Sequence, residues 1–216
     1  MSGNLDKNQQ AVAVFDKLAK EYQSKFMDVS LYADTFDRFC SAIKPGKATV
    51  LELACGPGNI TNYLLNRRPA LQILGTDLSE NMIALAAANN PSAEFRLMDC
   101  RSIGMLDEKY DAVMCGFCLP YLSKEEALQL IGDASKIISA GGIMYISTME
   151  DEYSNSGLRK GSTGDEIFMH YHESAYLIKA LEESGFEMLE TTRKESPGPD
   201  GSTITDLVLI AQRRRS

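Results

Sequence analysis

Apolar positions recur three and four residues apart through the first 45 residues of the chain. Val12, Phe15, Leu18, Ala19 and Tyr22 fall on one helical face, and Tyr32, Phe36, Phe39 and Ile43 on another. Pro45-Gly46 breaks that pattern. Beyond it, short apolar runs alternate with helical segments. Residues 49–53, 71–76, 93–98, 111–115 and 143–148 read as strands, and residues 60–66 and 79–89 as helices, with Ser79 placed to cap the second. Ser123-Lys-Glu-Glu126 has the spacing of a capping box. Ala127, Ile131, Ala134 and Ile138 line one face of the helix it opens, which Gly141-Gly142 is expected to end.

Strands alternating with helices predict an α/β fold, a doubly wound and mostly parallel sheet with helices on both faces. Residues 150–170 are polar, rich in Ser and Gly and unpatterned, which points to a lid or binding loop. Glu173-Ser174 opens a last helix and Gly185 closes it. Residues 186–193 and 204–211 follow as two strands joined by Pro197-Gly-Pro-Asp-Gly201, so the sheet is expected to end in an antiparallel hairpin.

The composition is globular, with 44% hydrophobic and 24% charged residues in 216. A chain of that length buries a core without disulfides or a structural metal. Lys and Arg number 22 against 30 Asp and Glu, a net charge of −8, which argues against a nucleic-acid partner. The run Arg213-Arg214-Arg215 is read as a solvated tail. No apolar stretch reaches the ~20 residues of a membrane helix, and the first residues lack the basic, then apolar, build of an export signal. Five scattered cysteines complete a cytoplasmic expectation with reduced thiols and no membrane insertion. His170 and His172 with these cysteines lack the spacing of a metal site, so none is expected.

The most informative segment runs from Val50 to Ile60. A buried strand enters Ala54-x-Gly56-x-Gly58 just before a helix begins. Small residues at alternate positions let a ligand approach the backbone, and a helix N-terminus offers unpaired N–H groups. Asp77 stands 19 positions beyond Gly58, at the end of the second strand, where a carboxylate accepts hydrogen bonds from both ribose hydroxyls. A dinucleotide site wants a third glycine, but Gly56-Pro-Gly58-Asn-Ile-Thr61 ends in threonine. Glu52 inside the strand suits a ligand ammonium and would repel a pyrophosphate. Asp99, closing the third strand, can accept from an adenine amine.

On these residues the chain resembles the class I S-adenosylmethionine-dependent methyltransferases. Glu52-Leu-Ala-Cys-Gly-Pro-Gly58 resembles their first motif, with Ala54 in place of the commonest first glycine, and Thr76-Asp77-Leu-Ser79 their ribose motif. Asp99-Cys100 resembles the adenine-contacting position, Asp111 to Phe117 the fourth strand, and Ser139-Ala-Gly-Gly142 the usual Pro-Gly-Gly turn. The likeness is strong over residues 46–148 and looser over the last 40. It implies a seven-stranded Rossmann-like fold with a C-terminal antiparallel hairpin. It also implies S-adenosylmethionine as cofactor and contacts to it from Tyr22, Glu52, Ala54, Gly56, Gly58, Asn59, Asp77, Leu78, Met82, Asp99, Cys100, Cys115 and Phe117. The small-molecule branch, of quinone-biosynthesis and trans-aconitate type, is the nearest. It implies an N-terminal helical cap over residues 1–45, a methyltransferase domain over 46–216, a lid over 149–172, and a tyrosine such as Tyr22 on the cofactor carboxylate.

Methyl transfer to a small-molecule acceptor by in-line displacement is the function expected, with His170 or His172 as base or orienting group. A noncatalytic nucleoside-binding module and a nicotinamide-dependent dehydrogenase are the rival readings. Monomer and homodimer both stay open. Cys115-Gly-Phe-Cys118 has thiol–disulfide exchange spacing, yet the next helix cap comes only at Ser123 and that chemistry leaves the glycines and carboxylates unexplained. Cys118-Leu-Pro-Tyr121 is only faintly similar to the Asn/Asp-Pro-Pro-Tyr motif of amino-group methyltransferases and lacks its amide.

Overall fold

A computed structural model describes residues 6–160, 164–197 and 203–215. The chain begins with helices α1 (Lys7–Lys17), α2 (Ala19–Phe26) and α3 (Ala33–Ala42). Then come β1 (Ala48–Leu53), α4 (Asn59–Arg67), β2 (Leu71–Asp77), α5 (Glu80–Asn89), β3 (Glu94–Leu97) and β4 (Tyr110–Gly116). Helix α6 (Lys124–Ile137) leads into β5 (Ile138–Glu150), and β6 (Gly157–Lys160) and β7 (Glu166–Met169) follow. Helix α7 (Ser174–Glu183), β8 (Phe186–Pro197) and β9 (Thr203–Arg213) complete the fold.

Seven strands form one sheet in the order β3-β2-β1-β4-β5-β9-β8. β1 to β5 pair in parallel, and β9 runs antiparallel to both β5 and β8. This is the doubly wound sheet with a terminal hairpin that the strand–helix alternation predicts. The order reverses at β1 and β4, so the carboxyl ends of these strands open a crevice at a topological switch point. On one face Leu53, Val113, Ile131 and Leu177 pack in a core under α6 and α7. On the other Phe36, Phe39, Leu64 and Tyr145 fill the space under α3 and α4. Central strands covered on both faces are buried almost throughout, as in β4.

Four local expectations are corrected. The helical face of the first 26 residues is divided at Leu18, whose φ of −103° and ψ of 17° end α1; Tyr22 N–H still donates to Leu18 O at 2.8 Å, so the face continues. α6 ends at Ile137 and Ile138 is already extended, so Gly141-Gly142 lies inside β5. Residues 150–170 are not structureless: β6 and β7 pair as a separate antiparallel ribbon. That ribbon is too short and polar for its alternation to stand out, and α1 holds it through Lys7 Nζ, 3.4 Å from the Phe168 ring centre, and the Lys17–Asp165 ion pair at 2.9 Å. Arg213 is no solvated tail, because it donates to Ser135 O and Gly185 O. The connection expected at 197–201 lies, after Pro197, outside the described residues. Among those described, no helix is long and apolar enough to cross a membrane.

Candidate functional site

Between β1 and α4 the backbone takes three left-handed turns, at Ala54 (φ 50°), Gly56 (φ 53°) and Gly58 (φ 78°). The two glycines have different reasons. A Cβ on Gly58 would lie 2.4 Å from Asn90 Nδ2 and 3.2 Å from Ala86 Cα, so Gly58 lets α4 start against α5. At Gly56 a Cβ would meet only Tyr22 Cε1, at 3.8 Å; it would point into open space that Gly56 itself lines. Ala54 holds the same conformation with a side chain, at a cost of about 1–2 kcal/mol.

Asp77 closes β2 against this loop. Its Oδ2 accepts Gly56 N–H at 3.0 Å and its Oδ1 accepts Ser79 N–H at 2.9 Å. Burial raises its pKa above the usual carboxylate value, against the lowering effect of these N–H groups. Each oxygen keeps acceptor capacity toward the cavity in front of it. That cavity, about 100 Å³, lies between the strand tips and α1 and α2. Loop 54–56, Asp77, Leu78 and Met82 form one side, Met98, Cys100 and Cys118 another, and Gly116 and Phe117 the end of β4.

Eight of the residues expected at the cofactor line this cavity: Tyr22, Ala54, Gly56, Asp77, Leu78, Met82, Cys100 and Phe117. Burial and the charge of Asp77 push the Tyr22 hydroxyl up to about 12, so it remains a donor at neutral pH. Phe117 has a φ of 52°, fixed by its N–H donating to Ser147 O and Ser147 Oγ. A strained residue held in this way over-determines the ring's position.

Five others stand outside the lining. Gly58 is at the α4 N-terminus, and Asn59 donates to Phe26 O at 2.7 Å, joining α4 to α2. Cys115 is fully buried in the core below. Glu52 is 1% exposed behind the loop, with Oε2 accepting the Thr61 hydroxyl at 2.5 Å and Oε1 finding no partner among the described residues. Its burial pushes the carboxyl up to about 7. Asp99 is closed off by Arg101: Oδ1 accepts Arg101 N–H and Nε, and Oδ2 accepts Nε and Nη2.

His170 and His172 also lie outside the cavity lining, behind the 3₁₀ turn Leu119–Tyr121. His172 is wholly buried, with Nε2 against Leu119 O at 2.8 Å and Nδ1 against the Tyr176 hydroxyl. A carbonyl only accepts, so Nε2 carries the proton and Nδ1 accepts. Burial lowers its pKa to about 4. His170 N–H donates to Pro120 O at 2.8 Å and its ring stacks on Tyr153. Both histidines thus hold the turn whose other side carries Tyr121 into the cavity.

The remaining lining comes from Asn8, Ala11, Val12 and Phe15 of α1, with Met98, Gly116, Cys118 and Tyr121. Val12 and Phe15 share the helical face that contains Tyr22, and an amphipathic face has the same sequence signature whether it covers a core or a ligand. Asn8, at the first turn of α1, gives no such signal. Rings continue along this wall: Phe15 lies 5.0 Å from Tyr121 and 5.6 Å from Tyr22, and Tyr22 4.5 Å from Phe26.

Comparison with known proteins concerns the domain and the fold. Residues 50–142 match the family model of a methyltransferase domain. The trans-aconitate 2-methyltransferase of Variovorax paradoxus is 36% identical over 102 residues, 47% of this chain and 39% of that protein. The demethylmenaquinone methyltransferase of Thermotoga maritima is 30% identical over 122 residues, 54% of this chain and 52% of that protein. The matches thus span about half, or less, of these relatives' own length. The magnesium protoporphyrin IX methyltransferase of Synechocystis, solved with bound S-adenosylmethionine, superposes with a TM-score of 0.73 at 18% identity, covering 99% of this chain and 100% of that one. Residues 50–142 thus carry a methyltransferase domain, and the sheet order and the glycine loop are those of the class I S-adenosylmethionine-dependent fold.

Proposed function

We propose that this chain transfers a methyl group from S-adenosylmethionine to a small, neutral acceptor. The reading rests chiefly on Gly56 and Asp77: a bare, left-handed backbone whose N–H fixes a carboxylate at the cavity edge. Asp77 then accepts the ribose hydroxyls, Gly56 lets the ligand lie against the main chain, and Tyr22 donates to its carboxylate. When bound, the cofactor supplies a methyl on a positively charged sulfur, a good leaving group toward an in-line nucleophile. The residues of the chain orient the two reactants and exclude water, a contribution of up to ~7–11 kcal/mol. Aromatic faces at Tyr22 and Phe117 favour the positive charge. α1 and α2, whose residues line the cavity, act as the cover that selects the acceptor.

Neutrality of the acceptor follows from the lining. It contains no Lys, Arg or His among the described residues, while it does contain Asp77. A polycarboxylate such as trans-aconitate would enter with no cationic side chain in the lining to meet it, at a desolvation cost. His170 and His172 serve in this reading as positioning residues for the Leu119–Tyr121 turn. The net charge of −8 argues against a nucleic acid. The test is S-adenosylhomocysteine formation with metabolite fractions separated by charge. Turnover in the neutral fraction supports the reading. Turnover confined to the anionic fraction overturns the acceptor class, and none with bound cofactor favours a noncatalytic module.

A further inference from the structure

The carboxylate expected to read the adenine amine is occupied. Three N–H donors of Arg101 close on Asp99: the main-chain N–H on Oδ1, Nη2 on Oδ2, and Nε shared between both oxygens. The same guanidinium reaches Asp6 at 2.5 Å and Glu126 at 2.9 Å, so it is held on three sides. Asp99 is also absent from the lining of the cavity.

Another acceptor stands close by. Asn8 is 7% exposed and lines the cavity. Its Nδ2 donates to Tyr121 O at 3.2 Å, which fixes which way the amide points. Its Oδ1 is buried and has no partner among the described residues. A buried carbonyl oxygen without a partner is destabilising, and a ligand donor removes that penalty.

The neighbours of Asn8 indicate what that ligand group is. Tyr121 N–H donates to Cys118 O, and Cys118 Sγ lies 3.3 Å from Cys100 Sγ, so Asn8 joins the tips of β3 and β4. With Met82, Met98 and Leu78 these sulfurs give the cavity an apolar lining beside Asp77. A purine suits that lining, and a purine with an exocyclic amine suits the unpaired oxygen of Asn8. We propose that Asn8 Oδ1, carried by α1, accepts the adenine amine of the cofactor in place of Asp99. This rests on the cofactor reading above.

The experiment compares binding of S-adenosylhomocysteine with its hypoxanthine analogue, which carries a carbonyl where the amine stood. The wild-type protein binds the adenine form at least about tenfold tighter, because the analogue leaves Asn8 unpaired. In Asn8→Ala the adenine form weakens by roughly threefold to tenfold while the analogue does not, so the preference shrinks to within about threefold. Asp99→Asn keeps the preference. A full preference in Asn8→Ala, or its loss in Asp99→Asn alone, overturns the proposal. The wild-type comparison stands even if a variant folds poorly, and equal binding of both ligands there also overturns it. Wild-type protein that binds neither ligand refutes the cofactor reading itself, a distinguishable result.

Discussion

The Thr61 hydroxyl donates to Glu52 Oε2 at 2.5 Å, linking the first turn of α4 to the buried end of β1. In a dinucleotide site this position carries a glycine that eases helix packing. Here a side chain is used instead to hold a carboxylate that burial drives up to about 7. Thr61→Val removes the hydroxyl donor and leaves the carboxylate with the main-chain N–H of residue 61 alone. The expected result is a loss of about 1–3 kcal/mol in chemical denaturation at pH 8 and a Glu52 pKa still further above 7. An unchanged denaturation midpoint contradicts this role.

Stability follows the same titration. The folded pKa of Glu52, about 7, is above its unfolded value, so the stabilising proton uptake is complete below about pH 4.5 and lost as pH rises through 7. Chemical denaturation from pH 4.5 to 8.5 checks this, and Glu52→Gln removes that part of the pH dependence.

His172 has the reverse stability profile. Its folded pKa of about 4 lies below its unfolded value of 6.5, so its contribution is full above 6.5 and lost as pH falls toward 4. Nitrogen chemical shifts should report a neutral ring protonated on Nε2 down to about pH 4. His172→Ala lowers stability by roughly 1–3 kcal/mol and, by freeing the Leu119–Tyr121 turn, weakens cofactor binding as well. A ring that titrates near 6.5 contradicts the assignment.

Gly58 and Gly56 separate stability from binding. Gly58→Ala forces a Cβ against Asn90 and Ala86 at positive φ and is expected to unfold the loop end of α4, at more than about 2 kcal/mol. Gly56→Ala carries backbone strain of only about 1–2 kcal/mol but puts its methyl into the cavity, so affinity falls by more than stability. Thermal melts paired with titrations distinguish the two.

Much of this was legible in the chain itself. The strands, the Ser79 cap and the Ser123–Glu126 capping box follow from period and cap chemistry, which act over a few residues. Asp77 beside Gly56 follows from their spacing along a strand–loop–helix unit. Other features depend on partners distant in sequence. Arg101 closing on Asp99, Asn8 reaching Tyr121 and His172 reaching Leu119 are set by tertiary packing, and no local pattern encodes them. Gly141-Gly142 misleads because glycine marks a left-handed bend without saying whether a helix or a strand precedes it.

The central claim is that the loop at Gly56 and the carboxylate of Asp77 seat the adenosyl cofactor. Titration of S-adenosylmethionine into the wild-type protein and into Asp77→Ala tests it most directly. One equivalent should bind the wild type, and the variant should lose about 1.5–3 kcal/mol, roughly tenfold to a hundredfold. Equal affinities, or no binding by the wild type, would contradict it.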